Sequence, residues 1–391
     1  PGVVTFERAP NGVPIPWAPS ETTPAISGDD LITTIDLPTQ YTAEEACKET
    51  VARTGARGCW IVALDVETGA VLAIAGAPAF DPAIRQSSDG SPFSNFAVRG
   101  MYEPGSTQKL ITFAAAIEDG VVGPETVIGQ VADRIELRPE ACVSNTDEIF
   151  GCYSDFVPHE TVDMAVIDVF MQSSNVGTIK IAQMMSREQI ARYLELFGLG
   201  GSTGLDYPGE ANGLINLDPS CQTCPLSAAI GYGVAVTPLQ MAAAYGSIGN
   251  DGVWVQPHIL SSSHGLESGS DPFVPSTHRV VSERTAYLMR QLLSQVVEAG
   301  TGISAQIPGY RVGGKTGTAN KLGEDGRYTE ITMASFVGLA PIDDPKVVVA
   351  VVVDSPAYEY RTGGLAATTA FVEVTEQALH RLGVTPDASA G

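Results

Sequence analysis

Positive charge is scarce in this sequence. Of 391 residues only 22 are lysine or arginine, against 45 aspartates and glutamates, which leaves a formal charge of −23 at pH 7. Nothing in that balance would release counterions from a phosphate backbone, so a nucleic-acid binder is excluded. Attachment to anionic lipid through a basic patch is excluded for the same reason. Charged residues of both signs make up only 17% and hydrophobic ones 44%, so wholesale disorder is ruled out too. Long apolar runs are also missing. One long uncharged stretch, 226–250, carries Gly231, Gly233, Pro238, Gln240, Gly246 and Gly249, which would break or hydrate a spanning helix. It reads as a buried loop followed by a core helix. An initiating methionine is absent, so a segment able to carry a signal or membrane anchor is expected to have been removed upstream of Pro1.

What is present is a chain long enough for two or three domains. Residues 1–30 are rich in Pro, Ser, Thr and Gly and read as an extended arm or the stub of a missing domain. Patterning begins at Leu31 with LITTID, followed by a helical segment over 41–52. Two apolar runs, CWIVALDV (59–66) and AVLAIAG (70–76), flank Glu67-Thr68-Gly69. A short turn with a glycine free to take positive φ between two such runs predicts a β-hairpin. A second hairpin is predicted near the C-terminus. There MASFVGLA (333–340) and KVVVAVVVD (346–354) flank Pro341-Ile342-Asp343-Asp344-Pro345, and both runs are rich in β-branched residues and bounded by proline. Between the hairpins the spacing predicts helices at 110–118, 162–171, 179–185, 188–197, 239–245 and 282–299, and 373–382 reads as a closing helix. Strands at both ends with helices between them predict an α+β fold in which the two chain ends share one sheet.

The six cysteines, Cys47, Cys59, Cys142, Cys152, Cys221 and Cys224, admit fifteen full pairings. Local spacing suggests Cys142–Cys152 and Cys221–Cys224, leaving Cys47 for Cys59. Free buried thiols and zinc are the competing readings, though the lone C-x-x-C lacks a second one or a nearby histidine pair. Disulfides would imply an oxidising compartment outside the cytoplasm.

Three short clusters carry chemistry. In Glu103-Pro104-Gly105-Ser106-Thr107-Gln108-Lys109, Pro-Gly ends what precedes, and Leu110, Phe113, Ala114 and Ile117 continue helically. Ser106 is therefore expected in the first turn of a buried helix, with Lys109 on the same face at i+3. A helix N-terminus favours the negative charge an attacking serine oxygen develops. A lysine in apolar surroundings loses its proton readily enough to act as a base. Alone, Ser-x-x-Lys is weak evidence, expected about once by chance in such a chain; an N-cap serine and a solvated lysine would look the same. In Gln172-Ser173-Ser174-Asn175, Ser173 could relay a proton and Asn175 hold a peptide amide, although a polar helix-ending turn has the same composition. In Gly313-Gly314-Lys315-Thr316-Gly317-Thr318, an edge strand is expected. Its bare Gly317 would let a peptide pair alongside, and Lys315, Thr316 and Thr318 would grip a carboxylate. A chance Lys-Thr-Gly is expected on the order of 0.1 times, and a loop before a hairpin is the plain alternative.

The order S-x-x-K, S-x-N, K-T-G resembles that of penicillin-binding proteins and class A β-lactamases. Longer context, YEPGSTQK, QSSNVGTIKIA, GYGVAVTPLQMAAAYGSIGNDG, GGKTGTANK and ASFVGLAPIDDPKVVVAVVVDSP, is similar to class B penicillin-binding proteins, the monofunctional D,D-transpeptidases, and most to the division type. The resemblance runs from about residue 31 to 382, so it implies a transpeptidase domain over 31–391 with 1–30 as the stub of a pedestal. It implies the penicillin-binding fold, a central antiparallel sheet with a mostly helical subdomain inserted. It further implies Ser106 as nucleophile, Lys109 as its base, Ser173 and Lys315 in proton delivery, and Asn175, Thr316, Gly317 and Thr318 as the substrate grip. The backbone N–H groups of Ser106 and Thr318 would hold the oxyanion. The implied ligands are D-Ala-D-Ala stem peptides and β-lactams, with no cofactor or metal. Full-length partners would be a polytopic lipid-II glycosyltransferase and the division machinery, at the outer face of a bacterial cytoplasmic membrane. Where the family usually has proline, this chain has Thr368. None of the five histidines falls in the three clusters, so a Ser-His-Asp triad has no obvious member. A D,D-carboxypeptidase, a serine β-lactamase and a penicillin-sensing receptor are the alternatives, and a bifunctional class A enzyme would need a further domain upstream.

Overall fold

The valine-rich run near the C-terminus shows no apolar–polar alternation because both of its faces are covered. In the computed structural model the described residues are 2–26, 30–79, 95–138, 141–142, 151–264, 271–323 and 327–386. Strand Val347–Asp354 lies in the middle of a five-stranded sheet in the order Gly313–Leu322, Tyr328–Ala340, Val347–Asp354, Gly58–Asp65, Val71–Ala77. Every pairing is antiparallel, with Phe336 opposite Val351 and Ala350 opposite Val62. Successive side chains point to opposite faces. Val347, Val349, Val351 and Val353 therefore join one core with Ile61, Phe336 and Phe371, while Val348, Ala350 and Val352 join another with Val62, Leu110 and Tyr245. Both predicted hairpins and the shared sheet are thus as the sequence implied, and the α+β class stands.

Helices Leu37–Thr54 and Thr368–Arg381 cover the first face. Asp36 caps the former by accepting from Thr39 N at 3.0 Å, and Arg381 Nε donates to its other oxygen at 3.0 Å, tying the two helices together. Thr368 opens the second helix and its Oγ1 donates to the Gly364 carbonyl at 2.9 Å. Proline is at home at that first helical position, so the substitution changes packing and not topology. The other face is covered by Lys109–Glu118, the wholly buried Pro238–Gly249 and Glu283–Glu298.

Two predicted helices need correction. Within 162–171, Val162–Ala165 is a strand paired with Val127–Val131, and only Val166–Met171 is helical. The apolar spacing suits either period over so short a span, and the distant partner strand decides. The helix predicted at 179–185 starts earlier, at Asn175, because Ser174 caps it by accepting from Gly177 N at 2.8 Å.

The chain divides into two units, Thr34–Ile259 with Pro275–Gly391, and Pro1–Thr33 with Leu260–Val274. In the smaller, Val3–Phe6 pairs with Ser20–Thr23, and Leu260–His264 lies between Asp30–Thr33 and Asp271–Pro272. The amino-terminal residues, expected as an extended arm or the stub of a missing domain, thus contribute three strands.

All three local cysteine pairs are disulfides: Cys47–Cys59, Cys142–Cys152 and Cys221–Cys224. The first joins helix Leu37–Thr54 to the sheet with both residues fully buried. Intact mass after alkylation without reductant is expected to show no added group, and six after reduction and unfolding. Loss of Cys47–Cys59 by paired substitution should cost about 2–4 kcal/mol, read by denaturant unfolding. Alkylation of the unreduced protein would remove the disulfide assignment.

Candidate active site

The first cluster is shaped by its glycine. Gly105 has φ +53°, and a Cβ there would sit 2.9 Å from the Thr318 carbonyl oxygen, so any other residue would be strained and would push the edge strand away. The turn Gly105–Gln108 is a 3-10 helix that runs into the α-helix Lys109–Glu118. Ser106 therefore stands in a 3-10 turn ahead of the helix and not inside its first α-turn as expected. The turn is pinned on several sides. Gly105 N donates to Gly231 O at 3.2 Å, Thr107 Oγ1 to Pro104 O at 2.8 Å, and the buried Tyr245 hydroxyl to Thr107 O at 2.9 Å.

Lys109 is fully buried, and its Nζ faces the second cluster: Ser173 O at 2.6 Å, Ser173 Oγ at 3.3 Å and Asn175 Oδ1 at 2.8 Å. Burial pushes its pKa down to about 7 against the opposing pull of Asp155. An ammonium has three N–H donors and no lone pair, whereas a neutral amine keeps one acceptor site. In the neutral form two N–H groups satisfy the Ser173 carbonyl and Asn175 Oδ1. The remaining lone pair is then available to a hydroxyl.

The second cluster is organised by a residue the sequence did not single out. Asp155 Oδ1 accepts from Asn175 N at 2.6 Å and Val176 N at 3.0 Å, while Oδ2 accepts from Ser174 Oγ at 2.7 Å and meets His159 Nε2 at 3.0 Å. Its side chain is 7% exposed. An anion on the first N–H groups of helix Asn175–Ala182 is well placed energetically, just after Ser173, whose φ is +61°. It lies twenty residues upstream of Asn175, where no spacing rule connects the two. Asn175 also differs from expectation. Its Oδ1 is taken by Lys109 and its Nδ2 donates to Ser154 O at 2.8 Å, so both ends of the amide are engaged within the protein.

The third cluster lies in Gly313–Leu322, the outer strand of the sheet, as expected. Lys315 is fully buried, donates to Thr316 O at 3.3 Å and sits 5.9 Å from the centroid of the Phe170 ring. Burial holds its pKa well below the usual lysine value, and the nearby Lys109 charge lowers it further. Thr316 Oγ1 bonds Thr301 Oγ1 at 2.7 Å, and Thr318 Oγ1 accepts from Gly363 N at 3.3 Å. Gly317 also meets a packing requirement that the sequence did not show. A Cβ would meet the Ser335 hydroxyl and sit 2.8 Å from Pro104 O, so the strand lies against the turn that carries Ser106, and its missing side chain serves that packing.

A cavity of about 1040 Å³ brings the clusters together: Ser106, Ser173, Asn175, Thr316 and Thr318 all line it. Lys109, Lys315 and Gly317 lie behind that wall. Among the described residues that line it, Asp155 and His159 were not anticipated.

This geometry can be set beside known proteins. The penicillin binding protein transpeptidase domain matches residues 59–376. The penicillin-binding protein PbpB of Mycolicibacterium smegmatis is 33% identical, aligned over 99% of this chain and 60% of its own length. A probable peptidoglycan D,D-transpeptidase, PenA, of Neisseria flavescens is 32% identical over 92% of this chain and 84% of its own. The crystal structure of penicillin binding protein 3 from Mycobacterium tuberculosis complexed with ampicillin is similar with a TM-score of 0.84 and 31% identity. It covers 94% of this chain and 82% of that one. The chain spans between 52% and 60% of the length of several of the curated relatives it matches.

Proposed function

Because this chain belongs to the penicillin-binding protein transpeptidase family, we propose that it cross-links peptidoglycan stem peptides through an acyl-enzyme on Ser106 and is acylated by β-lactams. The observation that carries this reading is the bonding of Lys109 to Ser173 and Asn175 behind a cavity that Ser106 lines. A base near its neutral form thereby joins the nucleophile's helix to the second motif.

The sequence of steps follows from those contacts. Ser106 Oγ attacks the carbonyl carbon of the penultimate D-alanine and gives its proton to the Lys109 amine. The Ser106 and Thr318 N–H groups take the developing oxyanion, a contribution of about 3–4 kcal/mol per donor in a comparable hydrolase. The peptide C–N bond breaks as a proton passes through Ser173, with Lys315 beside it, to the departing D-alanine. An amine of a second stem peptide attacks the ester, forms the cross-link and returns the serine. Thr316 and Thr318 grip the donor carboxylate, and Asn175 meets its amide by exchanging one of its internal bonds. A β-lactam follows the first half only, since its leaving nitrogen stays tethered.

Residues 1–30 fit the stub of a pedestal. A division role, a polytopic lipid-II glycosyltransferase partner, and a site on the outer face of a bacterial cytoplasmic membrane belong to the same reading. Three disulfides support the oxidising compartment. No helix among the described residues is long and apolar enough to cross a membrane.

Labelled benzylpenicillin tests the proposal. The adduct is expected on the tryptic peptide 100–109, which contains Ser106, and should persist for many minutes. Turnover within seconds would favour a carboxypeptidase or β-lactamase that hands the acyl group to water.

A further inference from the structure

Arg361 is the one arginine or lysine among the described residues that line the cavity, in a protein of formal charge −23. Its guanidinium carbon lies 4.1 Å from the centroid of the Tyr358 ring and 5.8 Å from that of Phe156. Phe156 directly follows Asp155, on the wall of the second motif. On the other side, the Arg361 carbonyl accepts from Thr332 Oγ1 at 2.9 Å, and Gly363, two residues on, donates to Thr318. Arg361 therefore stands at the cleft between the wall carrying Ser173 and Asn175 and the wall carrying Thr316 and Thr318.

Other arginines of this chain are spent on carboxylates: Arg192 on Asp119, Arg290 on Asp251, Arg311 on Glu298 and Asp343, Arg381 on Asp36. Glu330 lines the same cavity and Glu359 lies two residues before Arg361, yet the arginine ion pairs among the described residues are those of Arg192, Arg279, Arg290, Arg311 and Arg381 and do not include Arg361. The guanidinium is instead held by aromatic faces. Such stacking fixes its plane while leaving its N–H edges free for a planar, two-point partner. The partner that matches that edge is a carboxylate.

Resting on the acyl-transfer reading above, we propose that Arg361 is a specificity site for a second carboxylate, one carried on the arm of the acyl donor that extends away from the scissile bond. This is distinct from the donor's terminal carboxylate, which faces the two threonines. The substrate class is then a stem peptide with an acidic residue upstream of D-Ala-D-Ala, and among β-lactams those with a carboxylate on the side chain. Phe156, 69% exposed, and Leu365, 52% exposed, give that arm apolar surface to lie on.

Carbenicillin and benzylpenicillin differ by one side-chain carboxylate and are the probes. The readout is the ratio of their second-order acylation constants. Arg361→Gln is expected to lower the carbenicillin-to-benzylpenicillin ratio about tenfold, and Arg361→Lys by less. In the wild-type protein the same ratio should fall as salt is raised from 0.05 to 1 M, because screening shortens to about 3 Å. This second measurement needs no variant to fold. A ratio unchanged by Arg361→Gln, or insensitive to salt in the wild type, would overturn the assignment while leaving the acyl-transfer reading intact. Failure of benzylpenicillin to acylate the wild type at all would instead overturn that reading.

Discussion

Ser106→Ala is expected to abolish covalent labelling by penicillin completely while moving the thermal midpoint by less than about 2 °C. The two halves of that result have separate physical causes. Ser106 is half-buried, lines the cavity and is not what holds its turn in place. The holding bonds come from Gly105, Thr107 and Tyr245. A truncation that leaves no buried partner unsatisfied falls within roughly ±0.5 kcal/mol. For a chain of this size 1 kcal/mol corresponds to a few degrees at most. The acyl bond, by contrast, is expected to form on the Ser106 oxygen alone. Ser173 and Ser174 are the other serines of the motifs at the cavity, but the Ser173 hydroxyl lies on the Lys109 amine with its backbone at positive φ, and the Ser174 hydroxyl donates to Asp155 and caps the helix that follows. Labelling measured by intact mass decides the assignment. An adduct retained in Ser106→Ala, accompanied by a large loss of stability, would make Ser106 a structural residue and move the nucleophile elsewhere.

How far the sequence carried the description depends on the range of the forces involved. Both hairpins were legible because β-branched runs and a three- or five-residue turn are local facts, and so was the sheet shared by the two chain ends. The order of the three motifs was legible as well, and the fold brings their residues to one cavity. Val162–Ala165 was misread as helix because its partner, Val127–Val131, lies thirty-odd residues away and four residues cannot declare a period. Asp155 went unnoticed for the same reason, since a carboxylate that caps a helix from twenty residues upstream leaves no spacing to read. Gly317 shows a different limit. Its lack of a side chain was visible, but whether that space served a ligand or a neighbouring turn depended on where Pro104 came to rest. Asn175 is similar, because the residue type advertises one donor and one acceptor side and only the fold shows that Lys109 and Ser154 occupy them.

Lys109→Met should slow acylation by roughly 10²–10⁴-fold, the usual contribution of a positioned general base, and should remove a pH limb that the wild type shows near 7. The limb follows from which form of the amine works. Burial lowers the pKa of Lys109 to about 7, and only the neutral amine can accept the Ser106 proton, so wild-type acylation should fall about tenfold per unit as pH drops below that value. The same shift makes an independent claim about stability. A lysine whose folded pKa lies below its unfolded value of about 10.5 binds fewer protons in the native state between pH 7 and 10.5. In that window the unfolded chain holds the extra proton, so stability rises with pH; below pH 7 both states are protonated and the penalty is complete. Relative to Lys109→Met, the wild type should therefore gain stability as pH is raised from 7 to 10. Lys315 titrates in both proteins, and in the variant it is freed of its neighbour's repulsion. Its own contribution to the pH dependence then moves toward higher pH, which is why the comparison needs full curves and not two points. If acylation in the wild type showed no limb between pH 6 and 8, while Lys109→Met still lost activity, Lys109 would be holding Ser173 and Asn175 in place through its hydrogen bonds and some other group would take the proton.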